Sequence, residues 1–352
     1  VSGRASVWLF DARTDLTVFG GSAALSFALL GLGALTGLLH AETPVWLWIV
    51  AVLLVDVAHV WTTLFRVYLD PVERARRPAL YWGVPLGVFA GGAWLSALDA
   101  DLFWRVVAYA AAFHFVRQQY GWMALYRARA GETTGRALDV AAIYIATLHP
   151  LLVWHLSSPR AFAWMRPGDF FDAGAWLGQA APQVIIASRC LWAAVLGAYA
   201  LRACLRAMRG RAQPGKDLLV VTTAATWSVG IEWLNSDFAF TVMNVFVHGV
   251  PYAVLVWRHA RAHASPGSLA ARMAQAGLWP MLAVVWGLAF VEELMWDRGV
   301  WHEHPDLFGY GFDAGTALPA LVALLAMPQL THYVLDAFIW KRHEPTMGGL
   351  RL

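Results

Sequence analysis

Four histidines of this chain sit deep inside apolar stretches, each with a polar residue three or four positions away. They are His59 in DVAHVWTTLFR, with Asp56; His114 in FHFVRQQYGW, with Gln118; His248 in NVFVHGVPY, with Asn244; and His332 in THYVLD, with Asp336. On a helix this spacing puts both members on one face. Imidazole is a ligand for Fe, Zn, Cu and Ni. A carboxylate or amide bonded to the other ring nitrogen fixes the tautomer and orientation that a metal needs. The expected chemistry is therefore a metal centre, with His59, His114, His248 and His332 as ligands and catalytic groups. Asp56, Gln118, Asn244 and Asp336 are expected to stand behind them. Asp56 or Asp336 is an alternative ligand, and His149 in TLHPLLVWH is a fifth candidate or a proton relay.

The elements that carry these residues follow from composition. The 352 residues are 59% hydrophobic and 14% charged, with a mean hydropathy of +0.52. A soluble domain carries about 25% charged residues, so this balance is that of a polytopic membrane protein. The twenty Trp agree, because indole favours the membrane interface. A net charge of +3 is too small to indicate nucleic acid. The start, VSGRASVWLFDARTDL, is polar and mixed, which reads as a short interfacial helix and not as a cleavable signal. Cys190 and Cys204 fall on one helix, too far apart to bridge.

Spacing of the apolar runs predicts an all-α membrane bundle in a single domain over 1–352. Ten spans are expected, near 16–40, 44–67, 79–98, 102–126, 137–156, 183–208, 217–235, 238–259, 276–295 and 317–340. Arg and Lys cluster in alternate loops, at Arg74, Arg76 and Arg77, at Arg127, Arg129 and Arg136, at Arg206, Arg209, Arg211 and Lys216, and at Arg258, Arg261 and Arg272. Lys341 and Arg342 follow the tenth span. The positive-inside rule then puts both termini in the cytoplasm; the expected location is a bacterial-type inner (plasma) membrane. The loops 157–182 and 296–316 are long and external.

In this topology the four histidine spans run the same way. His114 and His248 lie about 11–12 residues from the outer end and His59 and His332 about 14–15, a difference of about one turn. A single buried histidine is usually interhelical glue, but four at one depth point to a shared metal. An Asp at a helix centre costs roughly 2.5–3.5 kcal/mol on insertion scales, so ionisable groups in spans mark function. Aromatics near the histidines, Trp61, Phe115, Tyr120, Trp122, Tyr252 and Tyr333, are expected to line a path for a lipophilic substrate entering from the membrane lipids. Arg66 and Arg117 are expected to bind the inner end of that substrate or to snorkel. Glu232 reads as an exposed or snorkelling carboxylate near an outer helix end, and HEH at residues 302–304 as a solvated loop. His259, His263 and His343 read as part of the basic cytoplasmic flank. No GxSxG, P-loop, dinucleotide fingerprint or HExxH occurs.

These segments resemble the Brp/Blh family of membrane β-carotene 15,15'-dioxygenases. LLAMPQLTHYVLDAFIWKRH is similar to the family's closing TxPH…D-F-I stretch with its basic end. AFHFVRQQ resembles its internal I-H-F segment, and NVFVHGVPYAVLVWRH its F-I-H segment. DVAHVWTT matches the early P-H-G-x-x-D segment loosely, with Asp56 before His59 instead of after it. The resemblance implies Fe(II) on His59, His114, His248 and His332, and O₂ as co-substrate against a carotenoid or other isoprenoid. The residues alone leave Zn and Cu open. They also leave open a haem- or quinone-linked electron-transfer protein and a proton-coupled transporter.

Overall fold

The computed structural model describes residues 6–340. Every regular element among them is helical. Ten long helices occur where the ten apolar runs were read: α1 Ala12–Thr36, α2 Val45–Tyr68, α3 Pro78–Leu98, α4 Ala100–Ala130, α5 Arg136–Leu156, α6 Ala173–Met208, α7 at 214–233, α8 Asp237–His263, α9 Leu278–Trp301 and α10 Gly315–Ile339. Seven of them, α1, α2, α5, α6, α8, α9 and α10, are long and apolar enough to cross a membrane. That is the signature of a membrane protein. The helices α3, α4 and α7 are not among the seven, so the expected ten crossings reduce here to seven by length and composition. Lys341, Arg342 and His343 lie outside the described residues.

The chain divides into two compact units. The first comprises the residues up to Val45 together with Ala112–Pro251. Its core joins Ala112, Phe115 and Val116 of α4 to Leu151 and Trp154 of α5 and Trp227 and Ile231 of α7, with Phe162 from the following loop. Close approach is built in by glycine. A Cβ on Gly33 would lie 2.4 Å from the Phe238 ring, and one on Gly230 would lie 2.6 Å from the Met243 Cβ. Only a residue without a side chain leaves room for the Phe238 ring and the Met243 side chain at these positions.

The second unit comprises Trp46–Ala111 and the residues from Tyr252 onward. Leu53, Ala58 and Phe65 of α2 pack with Tyr252 and Val256 of α8 and with Met281, Val285 and Ala289 of α9. A second cluster joins Val67, Tyr81, Leu335 and Ile339. Asp70 caps the short helix Pro71–Arg76 by accepting from the amides of Val72 and Glu73, which ends α2 and turns the chain into α3. The loop 296–316 is not loose. The Asp297 carboxylate accepts from the amides of Glu303 and His304 at 2.9 and 2.8 Å, and His304 packs on Trp48 at 4.6 Å.

Candidate metal-binding histidines

Each unit brings two of the four histidines together. In the second unit His59 of α2 and His332 of α10 meet edge to face, with ring centroids 4.9 Å apart. Both are buried, His332 completely. In the first unit His114 of α4 and His248 of α8 meet in the same way at 5.2 Å. Both are again buried, His248 completely.

Local structure sets each ring. Around His59 the helix widens: Trp48–Val57 is π-helical, and ordinary α-helix resumes at Ala58. Such wide turns are frequent at functional sites. The His59 Nδ1 bonds the backbone carbonyl of Asp56, while the Asp56 carboxylate stands 3.6 Å away. Asp56 thus serves the ring with its main chain, where the sequence suggested its side chain. His332 Nδ1 lies 2.8 Å from the Thr63 hydroxyl, and its Nε2 lies 3.8 Å from the Asp336 carboxylate. Asp336 in turn accepts from the Tyr252 hydroxyl. Tyr252 also receives the Trp340 indole N–H at 3.1 Å, and its ring centroid is 5.0 Å from that of His332. Thr63 escaped the sequence reading although it lies one turn after His59, on the same face.

In the first unit the His248 ring is fixed by stacking. Phe115 lies parallel to it at 3.6 Å, and Trp164 closes on Phe115 edge to face at 5.2 Å. The two amides expected behind the rings do other things. Asn244 donates to the Phe240 carbonyl at 2.8 Å. The Gln118 amide, buried with 8% exposure, has no hydrogen-bond partner among the described residues.

The remaining expectations separate cleanly. His149 is spoken for at both nitrogens, by Ser188 Oγ at 2.7 Å and Glu232 at 3.1 Å. That leaves no lone pair for a metal. Glu232, read as exposed, has a side chain only 3% exposed and also binds Arg189 at 2.7 Å. Its partners sit on α5 and α6, which no local pattern reveals. Arg66 is buried and clamped, to the Ile339 carbonyl at 2.9 Å and Glu73 at 3.1 Å. His259 is buried against Trp340 and His263 and does not join an exposed flank.

Several aromatics read as a substrate path have packing partners of their own. Trp61 donates to Glu292 at 2.6 Å. Tyr120 stacks on Tyr144 at 5.4 Å under the Arg117 guanidinium. Trp122 is buried against Phe19 at 5.2 Å. Tyr333 receives the Gln329 amide at 2.7 Å. Glu292, buried in α9 between Trp61 and Trp296, was missed. Its signal was an acid inside the apolar run AFVEELMW.

The donor set fits a borderline metal. Both rings of the second unit offer Nδ1 to a protein oxygen, the arrangement that presents Nε2 of a neutral imidazole to a cation. No family model, curated protein or solved structure matches the chain.

Proposed function

We propose that this chain is an integral membrane non-haem iron oxygenase acting on a lipophilic substrate, with His59, His114, His248 and His332 as the metal ligands. The observation that carries the reading is the pair His59 and His332, each with Nδ1 on a protein oxygen. Buried imidazoles with no such purpose are costly in a membrane helix. Equal depth of the four histidines along their spans favours one ion over one per pair. Fe(II), once bound, supplies the one-electron chemistry that O₂ requires. The residues hold and orient, and the apolar surroundings keep water out.

The substrate class rests on the resemblance to the Brp/Blh segments: a carotenoid or other isoprenoid that enters from the bilayer. In this reading the chain crosses the plasma membrane ten times with both termini in the cytoplasm, α3, α4 and α7 being crossings beyond the seven helices that length and composition mark. Haem held within either pair is disfavoured, because axial rings need a porphyrin plane between them and these rings touch.

Elemental analysis of detergent-purified protein tests the reading. About one iron per chain is expected, lost in His59→Ala and His332→Ala while the thermal unfolding transition is retained. Unchanged iron in those variants, or a Soret band in the wild type, overturns it. Retinal formation in cells that make β-carotene then tests the substrate.

A further inference from the structure

The first unit holds a second chemical constellation, separate from the histidine pairs. Ser188 of α6, His149 of α5 and Glu232 of α7 stand in line. Ser188 Oγ is 2.7 Å from His149 Nδ1, and His149 Nε2 is 3.1 Å from Glu232 Oε2. The His149 and Glu232 side chains are 1% and 3% exposed, whereas Ser188 is only partly buried. Arg189 binds the other Glu232 oxygen at 2.7 Å and keeps its own side chain 57% exposed. One turn beyond Ser188, Trp192 packs on the His149 ring at 5.9 Å. Its indole N–H has no hydrogen-bond partner among the described residues.

From this order of groups we propose that Ser188 is the nucleophile of an acyl-ester hydrolase site, with His149 as its base and Glu232 as the residue that positions the base. A buried carboxylate that accepts a hydrogen bond from Nε2–H leaves the Nδ1 lone pair on the serine hydroxyl, the acid–base–hydroxyl order of a Ser–His–acid triad with the two ring nitrogens exchanged. Structural glue would not require the hydroxyl to be the accessible end of the chain of bonds.

The reaction balances with water as co-reactant. Ser188 Oγ forms a bond to the ester carbonyl carbon and gives its proton to His149 Nδ1. The ester C–O bond then breaks, and that proton leaves with the alcohol. Water next adds to the acyl-serine, with His149 taking its proton. The bond to Oγ breaks, the proton returns to Ser188, and a carboxylic acid departs. The unpartnered Trp192 N–H, on the ring that packs against His149, is the donor we assign to the developing oxyanion. The substrate class is a lipid ester, because the serine lies on an apolar helix. Arg189 suits a phosphate or carboxylate headgroup.

A fluorophosphonate–rhodamine probe tests this on the full-length protein in detergent. Such a probe forms an Oγ–P bond and expels fluoride, with the serine proton passing to His149. Wild-type protein is expected to label on Ser188, identified by mass spectrometry of the labelled peptide. Ser188→Ala, a change too small to disturb α6, abolishes labelling. His149→Ala slows it by about a hundredfold or more. Glu232→Gln slows it less and shifts its pH profile, which a merely structural carboxylate would not do. Absence of labelling in folded wild-type protein, or labelling undiminished in Ser188→Ala, overturns the proposal. Iron content is unaffected by Ser188→Ala, so the two sites stand or fall separately.

Discussion

Thr63 decides how His332 presents itself. Its hydroxyl lies 2.8 Å from Nδ1, on the far side of the ring from Nε2. Thr63→Val keeps the shape and removes the bond. Partners of this kind are worth about 10- to 100-fold in metal affinity, so the variant is expected to lose iron to a chelator that leaves the wild type loaded. Equal retention in the two proteins would remove Thr63 from the account. Tyr252 belongs at the same scale. It reads from sequence as one more aromatic, yet its hydroxyl holds Asp336 and its ring backs both His59 and His332. Tyr252→Phe therefore removes one hydrogen bond from the Asp336 carboxylate, and weaker iron retention with an unchanged fold is the expected result.

Between elements, charge does what apolar contact does elsewhere. Asp139 at the start of α5 is fully buried and is reached by Arg127 of α4, Arg202 of α6 and Lys216 of α7, the last two at 2.8 and 3.0 Å. Removing Asp139 leaves Arg127, Arg202 and Lys216 sharing the single carboxylate of Glu132, and breaking a buried ionic set costs up to about 3–5 kcal/mol. Asp139→Ala should lower the unfolding temperature sharply, whereas Asp237→Ala, which releases only a partly buried threonine, should act weakly.

The turn after α2 adds a pH dependence. Burial alone would raise the Glu73 carboxyl, but Arg66 and hydrogen bonds from Tyr81 and Arg76 hold it below its ordinary value of 4.5. A carboxyl depressed in the folded state contributes stability above its unfolded pKa, and that stability is lost as pH falls through the folded one. Acidification below 4.5 should therefore lower the unfolding temperature more in the wild type than in Glu73→Gln.

At the scale of the whole molecule the prediction is orientation. Alternation of Arg-rich loops puts Thr133 in the cytoplasm and Trp176 outside. Both are exposed, Trp176 at 87%. In a background of Cys190→Ala and Cys204→Ala, a membrane-impermeant maleimide applied to intact cells should label Trp176→Cys and spare Thr133→Cys. The reverse result would invert the topology.

Helix type and the apolar, membrane-length character of seven of the helices were legible in the chain. Each depends on local quantities: hydropathy over one span, helical spacing within one turn, and the cost of a polar group in lipid. Pairing was not legible. Nothing in α2 says that Thr63 will meet α10, nor in α7 that Glu232 will meet α5 and α6, because such contacts depend on which faces pack. The same limit made Glu232 read as exposed or snorkelling and His149 as a fifth ligand or proton relay, and gave Asn244 and Gln118 roles that their packing does not provide. Sequence set where polar groups must be satisfied inside a membrane; only the packed helices decided which partner satisfies each of them.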